Sequence, residues 1–281
     1  MNFDARDAVV VITGGAGGIG SALAASLAAD GARIVVADLD AEGARRVTAG
    51  LVGDGHTSFG LDVTDRSQVE RLLDFVAAQY GRIDVLVNNA AMTSAERFDE
   101  RSVESIEREL SINLLAPLVL TRLAIPLLRA SADPRICTTV SLGGIFPLGE
   151  TPIYTASKFG LRGAMLAIGM DLGPKGITVG SVLPSATDTP MLRQEALDGG
   201  NSLQFLDPPQ TPADVVKAFR KLLDKPRYEV YPKLSESWLV RIVMLWPSLI
   251  PKALPLFRGR GERGMAKYLA DLERRGLISR G

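Results

Sequence analysis

Short apolar runs alternate with longer amphipathic stretches along the first 233 residues. Residues 8–13 are mostly β-branched and are ended by glycines, which predicts a buried strand. Residues 19–29 carry Ala and Leu at helical spacing, and Gly31 stops them. The alternation then repeats. Strands are predicted at 33–37, 57–61, 83–87, 135–140 and 177–183, with a last short one at 228–231. Helices are predicted at 41–51, 67–80, 103–130 and 153–172, the third bent by Pro117 and Pro126. Strands apolar along their whole length belong to a parallel sheet covered on both faces, and right-handed crossovers make this an α/β, doubly wound fold. Residues 190–211 are polar and carry Gly and Pro, so they read as a long loop of the kind that forms lids or binding segments.

The length of 281 residues suits one large domain or two small ones. We divide it into an α/β domain, 1–233, and a helical extension, 234–281. With 46% apolar and 23% charged residues, disordered, collagenous and coiled-coil architectures are excluded. Lys plus Arg and Asp plus Glu number 32 each, so no basic surplus exists to hold nucleic acid. A single Cys and a single His exclude a disulfide framework, a Cys-rich zinc site and a multi-His metal site. No metal is therefore expected, and a cytoplasmic location is. The N-terminus shows no basic segment followed by an apolar one, so no secretory signal is read there. The most apolar stretch, 238–257, is interrupted by Arg241, Lys252 and three prolines, whereas a spanning helix takes about 20 unbroken apolar residues.

Thr13-Gly14-Gly15-Ala16-Gly17-Gly18-Ile19-Gly20 joins the first strand to the first helix. Without Cβ atoms the backbone can turn tightly and approach a pyrophosphate, which faces free N–H groups and the positive end of the helix dipole. The strand–turn–helix placement is what raises this above a bare Gly-rich turn. Asp38 ends the second strand 18 residues after Gly20, about the offset of a carboxylate that takes the adenosine ribose hydroxyls. It would repel a 2′-phosphate, so NAD is expected over NADP. Asp40 suits the N-cap of the next helix better than Asp38 does.

Tyr154 and Lys158, four residues apart in a predicted helix, share a face. Ser141 closes a strand 13 residues before Tyr154, Asn113 lies in the long helix, and Asn88-Asn89-Ala90 follows another strand. Strand ends of this kind line the ligand crevice of a parallel sheet. The chain thus resembles the short-chain dehydrogenase/reductase family over about residues 7–233. The motifs that carry the resemblance are the glycine turn, Asp62-Val63, Asn88 to Ala91, Asn113, Ser141, Tyr154-x-x-x-Lys158 and Pro184 with Thr189. The resemblance implies a hydride exchange between nicotinamide and a CH–OH or carbonyl group. In it, Tyr154 is the acid/base, Lys158 lowers its pKa and holds the nicotinamide ribose, and Ser141 positions the substrate oxygen. Asn113 helps hold a water that relays protons from Lys158. Gly14, Gly18, Ile19, Gly20 and Asp38 belong to the cofactor site. Asp62 and Val63 flank the adenine, Asn89 and Ala90 lie along the adenosine, and Thr189 and the backbone after Pro184 meet the nicotinamide. Ala91, Ser185 and the run Ser141-Leu142-Gly143-Gly144 depart from the family pattern and leave substrate shape and loop conformation open. Homodimers or homotetramers through the 153–172 helix and the long helix before it are implied as well.

On the substrate side, Gly143, Phe146 and Met191 join Ser141 and Tyr154 as expected contacts. The walls are expected from Met92, Thr93, 143–146, Leu148 and 190–206. Ile145, Phe146, Leu148, Met191, Leu192 and Phe205 give them an apolar character, which suggests a steroid, retinoid, terpenoid or fatty alcohol or ketone. The alternatives are an NADPH-dependent carbonyl reductase and a catalytically idle dinucleotide-binding scaffold. The extension has a wide apolar face from Trp238 through Leu239 to Ile250, then eight basic residues, Arg280 among them, against three acidic ones. That pattern fits a helix over the substrate mouth, a subunit contact or a peripheral membrane contact. His56 is expected at the surface, Cys137 as a small buried hydrophobe, and Asp188 as a turn or cap residue.

Overall fold

The computed structural model describes residues 3–278. Seven strands form one parallel sheet: β1 (Val9–Thr13), β2 (Arg33–Asp38), β3 (Thr57–Gly60), β4 (Val85–Asn88), β5 (Arg135–Thr139), β6 (Thr178–Val182) and β7 (Glu229–Val230). Their order is β3-β2-β1-β4-β5-β6-β7, every neighbouring pair parallel. The order reverses at β1, between β2 and β4, which opens a crevice at the carboxyl ends of β1 and β4.

The central strands β1, β4 and β5 are buried along their whole length because helices cover them on both faces. On one face α3 (Arg66–Tyr80), α5 (Ala116–Arg129) and α6 (Pro152–Leu172) pack Leu72, Val76, Leu120, Ala124 and Leu161 against the sheet. On the other, α1 (Gly18–Ala28) and α8 (Pro212–Asp224) bring Leu23, Leu27, Phe219 and Leu222. Between β2 and β3, α2 (Ala41–Ala49) starts at Asp40, whose carboxylate accepts from the Gly43 N–H, as expected.

Three segments differ from the sequence reading. The long helix is two, α4 (Val103–Leu110) and α5, joined by a wide π-helical turn at Ser111–Leu115. Pro117 therefore lies in the first turn of α5, where its missing N–H is harmless, rather than at a mid-helix bend. Val103–Arg129 is long and apolar enough by composition to cross a membrane, but Leu120, Ala124 and Leu128 are spent on the core. Residues 190–211 are not simply a loop: Thr189 caps α7 (Pro190–Leu197), and Ser202–Phe205 adds a 3₁₀ turn. His56 is not a free surface residue. Its half-buried ring accepts from the Ile34 N–H through Nδ1 and so ties its turn to β2. Cys137 is buried mid-strand, and burial pushes its thiol up to about 12.

The extension consists of α9 (Leu234–Val243) and α10 (Ile250–Arg274). Arg280 and the side chain of Leu239 lie outside the described residues. Leu192, Ala196 and Phe205 make a small separate core under α10, joined by Met265, Tyr268 and Leu269. The Phe205 and Tyr268 rings lie 5.2 Å apart.

Candidate active site

The glycine turn is built from the ends of β1 and β4. Gly14 has φ +63°, and a Cβ there would sit 2.8 Å from the Ala90 Cα. A Cβ on Gly20 would strike the Gly14 carbonyl. Thr13 Oγ accepts from the Asn89 and Ala90 N–H groups, and Asn89 Nδ2 donates to the carbonyls of Thr13 and Gly14. Asn89 Oδ1 accepts from Thr139, so its side chain stitches three strand ends together. No side chain caps the start of α1. Its first N–H groups face an open groove, the donor set a pyrophosphate fits. Asp38 Oδ2 accepts from the Ala16 N–H at 2.9 Å, and Oδ1 from the Asp40 N–H at 3.0 Å. The carboxylate is thereby fixed at the rim, where ribose hydroxyls fit.

A cavity of about 710 Å³ runs from this turn past the ends of β4, β5 and β6. Gly14, Gly18, Ile19, Asp38, Asp62, Val63, Asn89, Ala90, Pro184 and Thr189 line one part of it. Gly20 lies beneath the turn. Ser141, Gly143, Phe146, Tyr154, Lys158 and Met191 line the other part. Asn113 is completely buried behind the wall. Its Oδ1 accepts from the Met92 N–H at 2.8 Å, and its Nδ2 donates to the Met92 carbonyl at 2.8 Å and to Ser157 Oγ at 3.2 Å. Ser157 in turn donates to the Tyr154 carbonyl. Asn113 thus clamps the start of α6 to the loop after β4.

Ser141 Oγ accepts from the Gly143 N–H at 3.0 Å and lies beside the Tyr154 hydroxyl, whose ionised form it favours. Lys158 Nζ donates to the Thr139 carbonyl at 3.2 Å and lies 5.6 Å from the Tyr154 ring centre. It is only 2% exposed. Burial lowers Lys158 to about 8. Burial also raises the Tyr154 hydroxyl well above its usual range; Ser141 opposes the rise, and the charges of Glu195 and Glu109 add to it. The lowering expected from Lys158 therefore does not prevail in the chain alone, because removal from water penalises the phenolate more.

Several groups escaped the sequence reading. Glu109 and Arg101 form an ion pair with both side chains at 0% exposure, and Glu109 Oε1 lies 3.5 Å from Asn113 Nδ2. Burial raises the Glu109 carboxyl against the pull of Arg101. Glu195 is a buried carboxyl in the cavity wall, held by Gln204. Val240, Val243, Ile250, Ala253, Leu254 and Phe257 bring the extension into that wall. Ile145 and Phe205, by contrast, are core residues rather than wall residues. Asp188 is neither a cap nor a simple turn residue. It accepts from Arg193, Tyr268 and Arg275, which ties α10 to the loop after β6. Among the described residues no three His, Cys, Asp or Glu side chains gather as a metal site.

A family model described as short chain dehydrogenase matches residues 8–198. The chain belongs to that family. It is an oxidoreductase acting on CH–OH and carbonyl groups, and the family uses a nicotinamide cofactor. It is 35% identical over 214 residues to a D-threitol dehydrogenase of Mycolicibacterium smegmatis, covering 74% of this chain and 82% of the relative. It is 30% identical over 234 residues to a levodione reductase of Leifsonia aquatica, covering 82% and 85%. Among solved structures, a short chain dehydrogenase from Burkholderia cenocepacia in complex with NADP matches with a TM-score of 0.71 and 30% identity, over 79% of this chain and 92% of that one.

Proposed function

We propose that this dehydrogenase transfers hydride between NAD and a lipophilic secondary alcohol or ketone. The observation that carries the reading is the cavity. Ser141, Tyr154 and the Lys158 ammonium line it beside the glycine turn, and apolar side chains from α9 and α10 close its far side. The cofactor, when bound, supplies the hydride acceptor or donor and a positive ring that favours the phenolate. Tyr154 then exchanges the hydroxyl proton with the substrate oxygen, and Ser141 holds that oxygen in place. The Lys158 ammonium would hold the nicotinamide ribose when the cofactor is bound. Asn113 keeps α6 and the loop after β4 in register, and it sits in a wide turn of the kind that recurs at functional sites.

Asp38 supports NAD. Its carboxylate is pinned at the rim, and the next residue, exposed Leu39, brings no cation to offset a 2′-phosphate. Asp38→Ala should reduce the kcat/KM ratio of NAD over NADP by at least about tenfold, since one charge-assisted pair is worth about 1.5–3 kcal/mol. A wild-type enzyme that turns over better with NADP contradicts the NAD reading. Reduced-cofactor absorbance, followed with steroids, retinol, terpenols and aliphatic alcohols, tests the substrate class. Turnover confined to short polyols would overturn it. A homo-oligomer built through α5 and α6 completes the proposal.

A further inference from the structure

The extension carries an outer face that the cavity does not use. On α9, Trp238 and Ile242 are one helical turn apart; Leu245, Trp246 and Leu249 follow in the short connection to α10, and Leu256 lies on α10 itself. All six are more than half exposed, Leu256 at 81%. Phe257 belongs to both surfaces: it is 45% exposed and lines the cavity, so the apolar face runs up to the cavity mouth. On α10, Lys252, Leu256, Arg260, Arg263 and Lys267 follow at spacings of four, four, three and four, which places them along one side of the helix. Lys252, Arg263 and Lys267 form no ion pair among the described residues. Charge is divided unevenly in the molecule: residues 234–281 hold nine Lys and Arg against four Asp and Glu, and residues 1–233 hold 23 against 28.

We propose that this face docks on an anionic lipid bilayer, with the cavity mouth turned toward the lipid. Indole rings favour the boundary between headgroups and acyl chains, and an apolar helix face beside a basic row lies in that plane. The basic row supplies attraction to anionic headgroups, while the acidic remainder of the chain keeps the opposite side in water. A second copy of this chain is the weaker occupant, because a two-fold contact on this face would set one basic row near the other. The surface stands independently of the substrate assignment, since vesicle binding is read without any turnover.

Trp238 and Trp246 are the only tryptophans of the chain, so intrinsic emission reports on this face alone. The full-length protein is mixed with phosphatidylcholine vesicles containing about one-third phosphatidylglycerol, and co-sedimentation and emission are read. We expect binding with a blue-shifted emission, at least about tenfold weaker on pure phosphatidylcholine or in high salt. Trp238→Ser with Trp246→Ser, and separately Lys252→Glu with Arg263→Glu and Lys267→Glu, should each remove binding, and circular dichroism checks that they fold. The charge variant keeps both tryptophans, so its emission reads the loss directly. Absence of co-sedimentation and of any shift with the wild-type protein at millimolar lipid overturns the proposal. So does a blue shift that grows with protein concentration in the absence of lipid, which assigns the face to a second copy.

Discussion

Lys158 shows what the chemistry asks of a single residue. A nearly unexposed ammonium with one carbonyl partner is held at about 8, whereas an unfolded lysine titrates near 10.4. Below about pH 8 both states carry the proton, and the folded state bears the full penalty of burying it. Between the two values the unfolded state binds more protons, so stability rises with pH across that window. Lys158→Met should therefore be more stable than the wild type at pH 7, by about 1–3 kcal/mol in urea unfolding, while losing turnover. A destabilised variant would show that the ammonium is not the strained group we describe. Most of the site was legible at this scale because its residue types and spacings are chemical requirements: a glycine that must turn at Ala90, a Tyr and a Lys one helical turn apart. The Glu109–Arg101 pair was not legible. Arg101 just before α4 and Glu109 on it read as solvated in a polar stretch, and only the packing of α4 against α6 buries them.

At the scale of elements, repeated apolar strands made the sheet readable, and the departures have local causes. Thr189 and Pro190 are a start signal for α7, but the helix is only eight residues long and runs into glycines, so its period never declares itself. The extension was readable as helical and apolar, but not its seat. Gly261 and Gly264 decide that seat, because α10 passes backbone against backbone over Ser202–Phe205. A Cβ on Gly264 would strike the Phe205 carbonyl, whereas one on Gly259 would meet only Arg263 Nη1 at 3.6 Å. Gly264→Ala should lower stability by about 1–3 kcal/mol by forcing α10 outward. Gly259→Ala, in the same helix, should be neutral or stabilising by up to about 1 kcal/mol. Thermal unfolding of the two variants separates them, and equal shifts would mean that α10 does not rest on its glycines.

In the whole molecule the sheet order puts the glycine turn, Ser141 and the Tyr154–Lys158 pair around one cavity, and the extension converts an open crevice into a walled one. The sheet and its crevice follow from strand and helix alternation, which a sequence displays. Which apolar residues face the cavity and which fill the core does not follow, since Ile145 and Leu148 look alike until packed. Tyr154 is the group proposed to move the proton. Turnover of Tyr154→Phe, read by reduced-cofactor absorbance beside a cofactor-binding titration, tests it most directly. We predict a loss of at least about 10³-fold in kcat with cofactor affinity within about threefold of wild type. Wild-type turnover by the phenylalanine variant would contradict the mechanism outright.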